Sequence, residues 1–102
     1  MANLDPQQIT EPIHRLRQNL PSGVILVAVT KLLPAEVIRI AYGAGLRHFG
    51  ENRVQEAVEK QAQLTDLPDI TWHLIGHLQT NKVRKAVEHF DWIHSLDSLK
   101  DR

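Results

Sequence analysis

The feature that most constrains this chain is a strict alternation of short apolar strands with amphipathic helices. Val24-Ile25-Leu26-Val27-Ala28-Val29 is a continuous, β-branched-rich run with no polar alternation, the pattern of a strand covered on both faces in a parallel sheet. Pro34 suits the first turn of a helix in which Val37, Ile38, Ala41 and Ala44 share a face, and Gly45 offers its stop. Leu46-Arg47-His48-Phe49 reads as a short strand ahead of Gly50. A helix from about Asn52 to Gln63 then turns Val54, Ala57 and Val58 inward. After a Leu67-Pro68-Asp69 loop, Ile70-Thr71-Trp72-His73-Leu74-Ile75 is a third strand. Val83, Ala86, Val87 and Phe90 follow the i, i+3, i+4, i+7 rule of an inward helical stripe, and Trp92-Ile93-His94 is a fourth strand. Leu96 to Arg102 reads as the approach to another helix.

A helix also precedes the first strand. Asp5-Pro6-Gln7-Gln8 has the form of a capped start, but Pro12 falls where an interior turn needs its N–H. The expected helix therefore runs from about Glu11 to Asn19, or is kinked at Pro12, and Pro21-Ser22-Gly23 ends it.

This order is α/β, with parallel strands joined by helical crossovers. Two architectures fit it: a small doubly wound sheet, and the first half of an eight-stranded barrel. A whole barrel needs roughly 250 residues, and the chain has 102. Both architectures place function at the C-terminal ends of the strands.

Composition narrows the classes further. Twelve Lys+Arg balance twelve Asp+Glu, so no global field holds a nucleic acid or an anionic membrane. Cysteine is absent, which excludes disulfides, thiolate metal sites and a Cys nucleophile. No basic segment followed by an apolar run opens the chain, and its longest apolar stretch is too short for a bilayer. A cytoplasmic protein is the expectation.

The loops after the four strands carry Thr30-Lys31, Gly50-Glu51-Asn52-Arg53, Gly76-His77-Leu78-Gln79-Thr80-Asn81-Lys82 and Ser95-Leu96-Asp97. Lys31 directly follows an apolar strand, so its stem is expected to begin in the core and its amine to reach the rim. Such a desolvated amine suits attack on a carbonyl; the alternative is a lysine that merely snorkels out of the strand end. Lys82, Arg84 and Lys85 start the last helix and Glu88 and Asp91 end it, the reverse of what the helix dipole favours. Cations there, with Arg53 at the start of the preceding helix, suit an anionic ligand. Equally, Lys85 and Arg84 could pair with Glu88 on a solvated face.

His73 and His77 are four apart but straddle a strand and a turn, with no nearby carboxylate to complete a metal site. His73 reads as a strand residue with a satisfied ring, His77 as a group that could orient a ligand. Glu51 could be a base at the rim or could accept hydrogen bonds. No paired acid–base system, Ser–His–Asp spacing, dinucleotide fingerprint or phosphate loop is present, so no catalytic residue is assigned. Trp72 and Trp92 read as packing residues.

Four segments together resemble one family: Val27-Ala28-Val29-Thr30-Lys31, Phe49-Gly50-Glu51-Asn52-Arg53-Val54-Gln55-Glu56, Trp72-His73-Leu74-Ile75-Gly76-His77-Leu78-Gln79-Thr80-Asn81-Lys82, and Ile93-His94-Ser95-Leu96-Asp97-Ser98. In this order they are similar to the pyridoxal phosphate homeostasis proteins (the YggS or proline-synthetase co-transcribed family), most of all its cyanobacterial branch. The resemblance implies a single-domain barrel of the alanine-racemase type, in which Lys31 carries pyridoxal 5′-phosphate as a Schiff base. It places Asn52 and His77 in the pocket wall and Ser95 at the mouth of the fourth strand. It implies a non-catalytic role in buffering or delivering the cofactor and in amino-acid and keto-acid balance, with apo-enzymes that use the cofactor as partners. Family chains are about twice this long, so residues 1–102 correspond to the N-terminal half of the barrel. The phosphate-gripping loop of the family belongs to the other half. Unpaired parallel edges would then invite self-association. Two other readings stay open: a racemase- or lyase-like enzyme at the same lysine, and a ligand-free interaction fragment.

Overall fold

The computed structural model describes residues 5–94. Helix α1 (Pro6–Asn19) is followed by β1 (Val27–Val29), α2 (Ala35–Gly43), β2 (His48–Glu51), α3 (Val54–Gln63) and β3 (Thr71–Leu74). A 3-10 turn (Thr80–Lys82) leads into α4 (Val83–His89), and β4 (Trp92–Ile93) comes last.

The strands form one parallel sheet in the order β1-β2-β3-β4. Ala28 is in register with Phe49 and Phe49 with Trp72, while His73 meets Trp92. Parallel crossovers are right-handed, so a sheet that grows in one direction carries all its crossover helices on the same face. A doubly wound sheet must instead reverse its strand order to cover both faces. The observed order therefore selects the barrel arrangement, with four strands and three crossover helices along its wall.

The helix-covered face holds the core. Phe49 and Leu74 have no exposed surface, and Ile38, Ala57 and Ala86 of the three crossover helices pack into the same cluster with Leu78 and Phe90. Helix α2 ends in a Schellman turn: Gly45 takes a left-handed φ of 106°, Leu46 N–H donates to the Ala41 carbonyl and Gly45 N–H to that of Tyr42. The Arg17 guanidinium donates to the Ala44 carbonyl and fills the space a side chain at Gly45 would need. That contact ties α1 to the first βα unit.

Several expectations are corrected. Helix α1 begins at Pro6, capped by Asp5, whose Oδ1 accepts from Gln7 N–H at 3.0 Å, and it carries Pro12 inside. Pro12 leaves the carbonyl one turn earlier without its donor, and that turn is exposed to water. Strand β1 is shorter than its apolar run, and Val24, Ile25 and Val29 are exposed. Its sequence reads as a buried strand, but it lies at the sheet edge with no strand on its outer side. Strand β2 starts at His48 and extends through Glu51, because Gly50 and Glu51 pair with His73 and Leu74. Of the helical stripe, Ala86 and Phe90 at the end of α4 are buried, whereas Val83 and Val87 stay exposed. Trp72 packs in the core, whereas Trp92 is 56% exposed and lies over the His73 ring.

Candidate functional site

Among the described residues, three chain segments lie at the C-terminal ends of the strands. The first is the turn after β1. Leu33 N–H donates to the Thr30 carbonyl at 3.1 Å, closing a four-residue turn with Lys31 and Leu32 at its centre. Leu32 has φ 64°, a left-handed conformation that leucine seldom adopts. Lys31 is exposed on this turn. Its stem is not sunk in the core as the strand pattern suggests, because among the described residues no strand flanks β1 on its outer side.

The second and third segments form one groove. The loops after β2 and β3 enclose a cavity of about 530 Å³ lined by Asn52, Arg53, Val54, Gln55, His77, Gln79 and Lys82. Gly76 makes it possible: a β-carbon there would lie 2.5 Å from the Asn52 carbonyl oxygen and 2.9 Å from its Cα. Only a residue without a side chain lets the two loops nest, and the nesting brings His77 beside Asn52. Arg53, the residue that precedes α3, and Lys82, which ends the 3-10 turn, supply two cations to the same wall. Arg84 and Lys85 form no ion pair with Glu88. The cationic helix start is therefore not neutralised along its own face.

Of the four positions singled out as cofactor-binding, Asn52 and His77 share this groove. Lys31 stands on the neighbouring strand end and is not among the groove's lining residues. Ser95 lies outside the described residues. His73 and His77 part company: His73 belongs to the open sheet face, where its Nε2 pairs with His48 Nδ1 at 2.9 Å and its Nδ1 with His94 Nε2 at 2.8 Å. The satisfied strand histidine expected from the sequence is what occurs. Burial lowers its pKa, reinforced by the neighbouring His48 and His94.

Glu51 is not a rim base. It is wholly buried on the helix side, where its carboxylate accepts from Thr30 Oγ1 at 2.5 Å and from Lys60 Nζ at 3.0 Å on each oxygen. Lys60 was not foreseen. It falls on the inward stripe of α3 with Val54, Ala57 and Leu64, and a lysine on an apolar stripe opposite a strand-end glutamate was the available signal.

The arrangement offers an accessible primary amine at one strand end and, at the next two, a groove with amide, imidazole, guanidinium and ammonium groups. That donor set suits a carbonyl compound carrying negative charge.

Comparison with known proteins agrees with this architecture. Residues 4–101 match the family described as alanine racemase, N-terminal domain. The pyridoxal phosphate homeostasis protein of Pseudomonas aeruginosa is 56% identical over 80 residues, which make up 78% of this chain and 34% of that protein. PipY of Synechococcus elongatus, solved with PLP bound, is 68% identical with a TM-score of 0.87, over 91% of this chain and 44% of its own. Alanine racemase of E. faecalis shares the fold at a TM-score of 0.74 and 23% identity, covering 88% of this chain and 25% of its own. The chain thus spans about a third of the length of its curated relative, 44% of PipY and a quarter of the alanine racemase.

Proposed function

The chain belongs to the alanine racemase N-terminal domain family, and from that premise we propose that it is a cytoplasmic carrier of pyridoxal 5′-phosphate, with Lys31 as the attachment point and no turnover of its own. The observation that carries the proposal is its likeness, over nearly the whole chain, to a solved protein that holds this cofactor.

The residues present fit the group. Pyridoxal phosphate would supply an aldehyde, and the Lys31 amine would hold it through a C=N bond formed with loss of water. The remaining residues bind and orient. Arg53 and Lys82 make the groove favourable for an anion, and Asn52 and His77 supply hydrogen bonds that fix orientation. With Ser95 they complete the proposed cofactor-binding set.

A carrier fits better than a racemase. A racemase needs a second base facing the lysine, and Glu51, the acid nearest that role in the sequence, is buried against Lys60 on the other side of the sheet. Buffering of the cofactor, its delivery to apo-enzymes, and a part in amino-acid and keto-acid balance follow as the proposed role. The exposed β1 edge supports self-association as part of the same proposal.

Borohydride trapping tests the attachment point. Wild-type chain incubated with pyridoxal phosphate and reduced should carry the label on the peptide containing Lys31, and Lys31→Ala should carry none. Equal labelling of the two overturns the proposal.

A further inference from the structure

Behind the Lys31 turn lies an ionic cluster with no place in the cofactor groove. Lys60 is 6% exposed, at the inner face of α3. Its ammonium donates to the Thr30 carbonyl at 2.7 Å and to both oxygens of Glu51 at 3.0 Å, and it lies 3.2 Å from Glu56 Oε2. Glu56, one turn earlier on α3, accepts the Leu32 N–H at 2.7 Å. Thr30 N–H in turn donates to the Gly50 carbonyl at 3.0 Å.

The peptide groups on both sides of Lys31 are therefore held from the same helix, Thr30 by Lys60 and Leu32 by Glu56. Leu32 keeps a left-handed φ, a conformation that persists only where its surroundings over-determine it. A buried ion pair is seldom the best way to stabilise a core, since apolar residues of similar size do as well. Here its partners are the backbone groups that flank one lysine, which gives the pair a different task.

We propose that Lys60 and Glu56 are positioning residues that lock the Thr30–Leu32 backbone and so fix the direction in which Lys31 leaves the strand end. This rests on the reading of Lys31 as the attachment lysine. Neither residue lines the groove. They act by removing backbone freedom from the turn, leaving Lys31 only the torsions of its own side chain. Glu56 fits the role electrostatically: burial pushes its carboxyl up, but the Leu32 N–H and the Lys60 ammonium outweigh that and hold it below its ordinary value.

The test compares Glu56→Ala with Glu56→Gln, because glutamine keeps an oxygen for the Leu32 N–H and alanine does not. The rate at which the visible Schiff-base band appears on adding pyridoxal phosphate should fall by about 10- to 100-fold in Glu56→Ala, and Glu56→Gln should restore it to within about threefold. Lys60→Met should slow it at least as much as Glu56→Ala. Amide hydrogen exchange gives a second readout that needs no cofactor: the Leu32 N–H should exchange slowly in the wild type and in Glu56→Gln, and quickly in Glu56→Ala. If Lys60→Met fails to fold, the two Glu56 variants decide alone. Labelling of Lys31 in all variants at the wild-type rate, or unchanged exchange at Leu32, overturns the positioning role while sparing the attachment site. Wild-type chain that takes no label at Lys31 overturns the attachment reading first.

Discussion

On the helix side of the sheet Phe49 and Leu74 have lost all contact with solvent, whereas on the opposite side Val29 and Trp92 keep more than half of theirs. The same strands supply both sets, residue by alternate residue. The covered face is finished: helix side chains fill it, and the charges of its Glu51–Lys60–Glu56 cluster are partnered. The other face is lined by Val27, Val29, Ile75, Trp92 and the His48–His73–His94 chain, side chains that a closed barrel turns toward its own axis. A parallel sheet thus separates two tasks, cohesion on one side and completion by further structure on the other.

Mutation can break this contrast. Phe49→Ala should cost about 3–5 kcal/mol, since the helix layer cannot collapse into the space, while Val29→Ala on the open face should change stability by no more than about 0.5 kcal/mol. Urea denaturation of both variants measures the difference. Equal losses would mean that the open face is covered in solution, by a second copy or by further chain.

A smaller effect sharpens the comparison at the strand ends. Gly76→Ala forces a methyl group into the Asn52 backbone, and the loops must part at a cost of about 1–3 kcal/mol. Cofactor affinity should suffer more than thermal stability, because the groove opens while the core stays packed. A melting temperature that drops with affinity unchanged would separate the groove from the site.

The smallest effect is a pH dependence confined to the open face. The His73 pKa is lowered by burial and by His48 and His94, so the folded state favours its neutral ring. That contribution is complete above the unfolded value of 6.5 and is lost as the pH falls through the lower folded value. The urea midpoint should therefore decline as the pH falls below 6.5, and less steeply in His73→Gln. Parallel profiles for the two chains would show that His73 makes no such contribution.

The element order was legible from sequence, because alternation and helical period are local signals: α2 and α3 sit close to where their apolar stripes place them. What was not legible depended on neighbours. The Val24–Val29 run looks like a buried strand whether it lies at an edge or in the middle, and Val87 looks inward whether or not a helix covers that flank. Within the site, the nesting of Asn52 and His77 hinges on Gly76, visible in the sequence only as a turn residue. Lys60 was hidden for a different reason. A charged residue on a helix reads as solvated, and its partners Thr30 and Glu51 come from earlier strands, a contact no local pattern encodes.

The one-directional strand order also bears on how the chain reaches this state. Each strand pairs with the one immediately before it in the chain, so every newly synthesised βα unit meets an edge that has already been made. Assembly can follow the order of translation, without waiting for a distant segment to return. The Lys31 turn is an exception to that economy. Its backbone is delivered with β1, yet the bracing from Glu56 and Lys60 comes only when α3 arrives. The Lys31 turn thus gains its last two contacts a full unit later than the strand that bears it.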